Sequence, residues 1–300
     1  MCSVTVLMST YNGEKYLKEQ IDSILNQIGV LVNLIVRDDG STDKTKTILQ
    51  SYAEHGKLNW YSGDNLGAAY SFMDLIKHVS DSDYYAFSDQ DDIWDSDKLQ
   101  AAVNVLNKYH IDDIVLYSCR SRIVDQNNQL ISNSNTNLPV TTYIDSLIHN
   151  NNQGCTMVFG ASLLKLLKQY NGKNLLMHDY LALKVCLAVG GTVIKDSNAY
   201  MGYRQHGNNV IGTHEPFLHS FKRRFHSFIN HTCERSKELK DVYDIYGKLI
   251  PEENKEILEK IAFYKERHFG ALKVIFDKRI IASNKKTTWH FRLGILMRFF

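Results

Sequence analysis

Tyr84-Tyr85-Ala86-Phe87-Ser88-Asp89-Gln90-Asp91-Asp92 decides how this chain is read. A short apolar run bounded by turn-forming residues is a buried strand. Three carboxylates within four residues at its end repel one another, and such crowding is rarely tolerated without a cation among them. Oxygen-only donors favour a hard ion, magnesium or manganese, which sits on few carboxylates and completes its shell with substrate phosphates. The cluster therefore suggests a metal–diphosphate site. A plainer alternative stands beside it: Asp92 to Asp97 could cap a helix that starts near Lys98.

Outward from this point, strands and helices alternate. Ser3 to Met8 is a β-rich run ending in the turn-rich Ser9-Thr10-Tyr11-Asn12-Gly13. Residues 14–28 follow with apolar residues at helical spacing, then a strand from Val32 to Arg37. Asp38-Asp39-Gly40-Ser41-Thr42-Asp43 leads into a helix over 43–54, Leu58 to Tyr61 is a third strand, and Asn65-Leu66-Gly67 opens a helix over 67–79. Alternation of this kind predicts an α/β fold with right-handed βαβ units and a mostly parallel sheet flanked by helices. Ligands bind such sheets outside the carboxyl ends of the strands. The loops at 9–13, 38–43 and 88–92 all fall on that edge.

Beyond about residue 110 the pattern changes. Ile114 to Cys119 and Arg122 to Asp125 read as two strands, Gln126 to Asn137 as a polar loop, and Cys155 to Phe159 as a strand after the polar turn 150–154. Helices are predicted over 161–170 and 179–189, the second ended by Gly190-Gly191. Thr192 to Ile194 and Ala199 to Tyr203 read as strands, and 215–300 as helical throughout.

Composition narrows the class. An apolar share of 44% and a charged share of 23% are those of an ordinary globular chain of 300 residues. No stretch of 18 uninterrupted apolar residues occurs, and Met1-Cys2-Ser3-Val4-Thr5 does not resemble a signal peptide, so a cytoplasmic chain is expected. Cys2, Cys119, Cys155, Cys186 and Cys233 are odd in number and scattered, which fits reduced thiols rather than disulfides or zinc. Net charge is +2, yet residues 215–300 hold 18 Lys and Arg against 11 Asp and Glu, leaving the remainder at 17 against 22. An acidic part joined to a basic one suits work beside an anionic surface.

Several residues carry chemistry on their own. An aspartate at the end of the second strand, Asp38 or Asp39, can accept a base N–H or a ribose hydroxyl, while Ser41, Thr42 or Asp43 can cap the next helix. Thr10 to Gly13 could wrap a nucleobase, with Tyr11 stacking near it. Asp179 could simply cap the helix that follows, and a lone His206 is most often structural.

Taken together, VTVLMSTYNGEKYLKEQIDSIL (4–25), VRDDGSTDKT (36–45), NLG (65–67), FSDQDDIW (87–94) and DKL (97–99) resemble family 2 glycosyltransferases of the GT-A fold. MHDYLALKVCLAVGG (177–191) and YRQHGNNVIG (203–212) resemble the bacterial rhamnosyltransferase-like branch, which builds surface polysaccharides. The resemblance implies a Rossmann-like GT-A catalytic domain over 1–212 with a helical C-terminal extension over 213–300. Within the domain, 1–110 would be the nucleotide-sugar half and 111–212 the acceptor half. It implies that Thr10, Tyr11, Asn12, Asp38, Asp39, Asn65, Gly67, Asp89, Gln90 and Arg204 bind the nucleotide sugar, Asp39 being first choice for the base. Asp89 and Asp91 match the family's DxD motif and, with His206, would hold Mn2+ or Mg2+; Asp179 stands at the catalytic base, preceded by His178 where an acid is usual. Gly154 and Cys155 would lie near the acceptor.

The implied activity is inverting, metal-dependent transfer of a sugar, L-rhamnose for instance, from a dTDP- or UDP-sugar donor to a glycan or lipid-linked acceptor. A processive synthase would need membrane spans and a QxxRW motif. A nucleotidyltransferase would need a glycine-rich basic phosphate loop, which STYNGEKY is not. A catalytically inactive nucleotide-sugar-binding or scaffold protein of the same fold is the other alternative. Phe217, Phe221, Phe225 and Phe228 form one helical stripe beside Lys222-Arg223-Arg224, and Trp289, Leu293, Leu296 and Phe300 form another. Such basic amphipathic helices suit a peripheral membrane contact at the inner face, and equally packing on the catalytic part or on a second subunit of a homo-oligomer. No groove-reading motif points to nucleic acid.

Overall fold

A computed structural model describes residues 1–133, 140–149, 152–205 and 234–300. Strands β1 (Ser3–Thr10), β2 (Leu31–Asp38), β3 (Asn59–Ser62) and β4 (Tyr84–Ser88) alternate with helices α1 (Leu17–Leu25), α2 (Thr45–Glu54) and α3 (Ala68–His78). β1 lies parallel between β2 and β4, and β2 pairs in parallel with β3. Register sets the edge: Thr10 faces Asp38 and Met8 faces Ser88, so the loops after all three strands start at one level. Both faces are covered. Val4, Val6 and Met8 point into one apolar cluster with Leu17 and Ile21 of α1, while Leu7 points into the other with Phe72 of α3. Burial on both sides is why β1 reads as a continuous apolar run.

The second half continues the same sheet with strands of both directions. After β5 (Ile93–Trp94) and α4 (Lys98–Leu106) come β6 (Val115–Val124), β7 (Leu130–Asn133), α5 (Tyr143–Ile148), a 3-10 turn (Gly154–Thr156), β8 (Met157–Gly160), α6 (Ala161–Leu167), α7 (His178–Ala188) and β9 (Thr192–Arg204). Among the described residues the sheet has nine strands in the order β3-β2-β1-β4-β8-β6-β9-β5, with β7 on β6. β8 runs antiparallel to β4, Ala86 facing Val158. Its N-terminal end, with the turn Gly154–Thr156, therefore meets the carboxyl edge of β4.

Two expectations need correction. The strands predicted at 114–119 and 122–125 are one strand, β6, and those at 192–194 and 199–203 are one strand, β9. Their mutual parallel ladder shifts register around Arg120, so polar interruptions that look like breaks are irregularities within paired strands. The loop expected over 126–137 contains β7.

Helices α8 (Glu234–Tyr246), α9 (Glu252–Ala262), α10 (Gly270–Ile275) and α11 (Lys285–Leu296) follow. Leu239, Val242, Leu258 and Ile261 share one buried cluster with Leu181 and Leu183 of α7. Lys184 of α7 forms a buried ion pair with Glu238. Phe300, read in one stripe with Trp289, parts from it: it is buried against Phe291 at a ring separation of 4.9 Å. The stripe Phe217 to Phe228 lies outside the described residues. No helix among the described residues is long and apolar enough to cross a membrane.

Candidate active site

Gln90 joins the loops at the carboxyl edge. Its side-chain oxygen accepts the Thr10 hydroxyl at 2.5 Å and the Tyr11 N–H at 2.9 Å, and its amide donates to the Tyr11 carbonyl at 3.1 Å. A Cβ on Gly13 would sit 2.4 Å from that oxygen, so a larger residue there would push the Gln90 clip aside. Asn12, at φ 49°, donates its N–H to Ser41 and accepts the Thr42 N–H, both at 2.9 Å. Loop 10–14 is thereby clipped onto loop 41–45, with the Tyr11 ring 47% exposed above it.

Asp38 and Asp39 are both buried and engaged with the chain. Asp38 accepts the Ser62 hydroxyl at 2.7 Å and the Ser41 N–H at 3.2 Å. Asp39 accepts the N–H groups of Leu66 and Gly67, each at 2.9 Å, and pairs with Arg37. A carboxylate offers about four lone-pair directions, so Asp39 retains one for a further donor. Asn65 accepts the Gly67 N–H at 3.2 Å, and Gly67 takes φ 75° before α3. Arg37, which sequence reasoning missed, is the hub here. Its guanidinium also reaches Asp74, Ser71 and the Asp64 carbonyl, each at 3.0 Å.

The acidic centre behaves differently. Asp92 is fully buried, and burial, then Asp89 and Asp91, pushes its carboxyl well up. One of its oxygens accepts the Arg204 N–H at 3.3 Å, while the other has no partner. Burial, then Asp91 and Asp179, pushes Asp89 up to about 7. Ligand atoms of Asp89, Asp92 and Cys155 lie within 4.8 Å of one another. The set gathered therefore includes Asp92 and Cys155, whereas the sequence pointed to Asp91; His206 lies outside the described residues. Burial also raises the Cys155 thiol, which keeps it protonated. Two crowded carboxylates, one with a bare buried oxygen, beside a neutral thiol fit a hard oxygen-seeking cation rather than a soft one.

The helix-cap alternative holds in position only: α4 starts at Lys98 with Asp97 at its N-cap, but Asp97 makes no side-chain cap bond, and Asp92 accepts the Arg204 N–H instead. Lys98, at the start of α4, is buried with its ammonium 3.3 Å from the centre of the Trp94 ring and without a hydrogen-bond partner. Burial lowers it to about 8.

Arg204, expected at the nucleotide sugar, spends its guanidinium on the chain itself. It is 1% exposed and turned inward, donating to Glu19 at 2.6 Å, the Asp91 carbonyl at 2.9 Å and the Gln126 carbonyl at 2.7 Å. Its guanidinium lies 4.6 Å over the Tyr16 ring. Arg204 thus fastens the 89–92 loop from behind.

Asp179 sits in the first turn of α7, whose N-cap is Met177, so it is not the cap. Its oxygens accept the Gly154 N–H at 3.1 Å and the Tyr180 N–H at 2.8 Å. Burial outweighs those two bonds and lifts the carboxyl to about 7. His178 stacks on Phe72 at 3.7 Å and meets the edge of Phe87 at 4.7 Å, with both nitrogens unpartnered. Burial lowers it to about 3, so the ring is neutral at physiological pH. Gly154 packs against both residues: a Cβ there would be 2.9 Å from the His178 ring and 3.3 Å from Asp179. The turn Gly154–Thr156 therefore ties Asp179 to the acidic centre.

Residues 5–169 match the family described as glycosyl transferase family 2, over more than half of the chain. The dTDP-rhamnosyl transferase RfbG of Shigella flexneri is 32% identical over 238 residues, 72% of this chain and 77% of that protein. The chain belongs to glycosyl transferase family 2. An uncharacterized glycosyltransferase of Rickettsia typhi is 30% identical over 186 residues, 59% of this family 2 chain and 56% of its own length. Among solved structures, S. aureus TarS 1-349 in complex with UDP aligns with a TM-score of 0.58 at 17% identity, covering 99% of this chain and 80% of that one. A mannosyltransferase from Pyrobaculum calidifontis in complex with GDP-Man and Mn2+ aligns at 0.51 and 16% identity, covering 99% and 80%. At those identities the likeness establishes the GT-A type fold of this family 2 glycosyltransferase.

Proposed function

We propose that this chain is a metal-dependent, inverting glycosyltransferase that moves L-rhamnose from a dTDP-sugar donor to a glycan or lipid-linked acceptor in surface polysaccharide assembly. One observation carries the reading. Asp179, lifted to about 7 and oriented by the Gly154 N–H, acts electrostatically on Asp89 of the acidic centre. A carboxylate poised near neutral pH and aimed beside a cation-binding cluster suits a general base. The rhamnosyl donor is supported by the similarity to RfbG.

The residues divide the work. Tyr11 would stack on the base, Asp39 would use its remaining lone pair for a base N–H, and Asn65 and Gly67 would border the ribose and phosphates. Asp89, Asp91 and Asp92 would hold Mn2+ or Mg2+. The bound ion would supply charge neutralisation on the departing diphosphate. The acceptor oxygen attacks the anomeric carbon as the bond to the diphosphate oxygen breaks, and the acceptor proton passes to Asp179. One displacement inverts the centre, and no covalent nucleophile is needed.

The test is an NMR assay of product anomer with dTDP-rhamnose and UDP-sugars, each with and without Mn2+. Cation-dependent consumption of dTDP-rhamnose with inversion supports the proposal. Nucleotide binding without transfer in any combination would instead favour a nucleotide-sugar-binding protein of the same fold.

A further inference from the structure

Helices α10 and α11 pack on each other and, among the described residues, leave an apolar face uncovered. On and beside α10, Phe269, Leu272 and Phe276 are 64%, 43% and 76% exposed, at i, i+3 and i+7. On α11, Trp289, Leu293 and Leu296 are 62%, 37% and 59% exposed, at i, i+4 and i+7. The opposite sides of the same helices are spent on the core, through Val274, Phe291 and Ile295. Six large apolar side chains on two adjacent short helices exceed the scattered exposure normal for a soluble surface.

Charge selects the occupant. Residues 265–300 hold nine Lys and Arg against two acids, Glu266 and Asp277, which accounts for the whole basic excess of the C-terminal part. Both acids are already paired, Glu266 with Lys240 and Asp277 with Lys260 and Arg279. Lys273, Lys278, Lys285 and Lys286 are exposed and make no ion pair among the described residues. A second copy of this face would bring like charge against like charge. An apolar stripe bearing a tryptophan and rimmed by free lysines matches an interface of anionic headgroups over acyl chains.

We infer that the α10–α11 face is a docking surface for an anionic phospholipid bilayer. The apolar stripes enter the headgroup boundary, and the lysines face the lipid charges. Ser283, between the two helices, donates its N–H at 3.0 Å to Asp145 of α5. α5 in turn packs on α7, which carries Asp179. The surface is thus anchored to the helix of the active site. It does not depend on which sugar is transferred.

The test is co-sedimentation of the full chain with phosphatidylcholine vesicles containing phosphatidylglycerol, against phosphatidylcholine alone, across a salt series. Binding is expected only to the anionic vesicles and to weaken as salt rises. Trp289→Ser with Phe276→Ser should release the chain, and Lys285→Glu with Lys286→Glu should lower the partition coefficient about tenfold or more. The charge pair is exposed, so it keeps the test open if the apolar pair folds poorly. Equal binding to neutral vesicles, no binding at all, or binding unchanged in the lysine variant would overturn the inference. So would a wild-type dimer in light scattering that Trp289→Ser turns into a monomer. Loss of sugar transfer with vesicle binding intact would count against the enzymatic proposal alone.

Discussion

Two pairs of aspartates at the same sheet edge live in opposite conditions. Asp38 and Asp39 are surrounded by donors: hydroxyls, backbone N–H groups and the Arg37 guanidinium. Asp89 and Asp92 are crowded by each other and by Asp91, and one Asp92 oxygen has no hydrogen-bond partner among the described residues. The first pair builds the loops of the donor half. The second stores repulsion that a cation can relieve. An acidic strand end is therefore not one signal but two, separated by how many donors the fold supplies.

The sharpest way to break the comparison is Asp179→Asn. It should lower kcat/KM by about 10²–10⁴, the usual share of a general base, while nucleotide binding by calorimetry stays unchanged. Full activity in that variant would remove Asp179 from the chemistry. Next in size is Arg37→Met, which leaves the buried Asp39 carboxylate without its counter-charge. Breaking such a pair costs ~3–5 kcal/mol, and a urea titration should show it; a loss under 1 kcal/mol would mean that Asp39 does not depend on Arg37.

A pH profile follows. Asp179 stands at about 7, and only its ionised form accepts a proton. kcat/KM should therefore fall at least tenfold per pH unit below that point, and more steeply where Asp89, also near 7, takes up a proton and loosens the cation. His178, lowered to about 3, adds no limb in the working range. Gly154→Ala comes after: its Cβ meets the His178 ring, costing ~1–3 kcal/mol of overpacking and displacing Asp179. Turnover should fall with donor affinity kept. The smallest effect belongs to Asp97→Ala. Asp97 makes no cap bond, so thermal unfolding should stay within ~0.5 kcal/mol of wild type. A larger loss would restore the acidic run as a helix start.

The two halves were also unequally legible. β1, β2 and β4 came within two residues of their true ends because apolar runs and turn residues act locally. β6 and β9 were each split, since their continuity rests on a ladder between residues about 77–80 positions apart. Arg204 was assigned to the nucleotide sugar through the family resemblance; the partners it makes here, Glu19 and the Asp91 carbonyl, lie 185 and 113 residues away in sequence. Cys155 was placed near the acceptor by the resemblance, and nothing around it in sequence pointed to the acidic centre. It reaches the acidic centre because β8 runs antiparallel to β4.

From the sequence alone came the alternating strands and helices, the polar loops on one edge, the carboxylates at 89–92 and 179, and through them the family. Those are local features, set by periodicity, turn chemistry and charge spacing within a few residues. Tertiary structure alone decided which aspartates are satisfied and which are bare, why Asp179 sits near neutral pH, and that Gly154 links it to the acidic centre. Those depend on burial and on donors brought from far along the chain, and free energies of that kind exist only once the chain has closed around them.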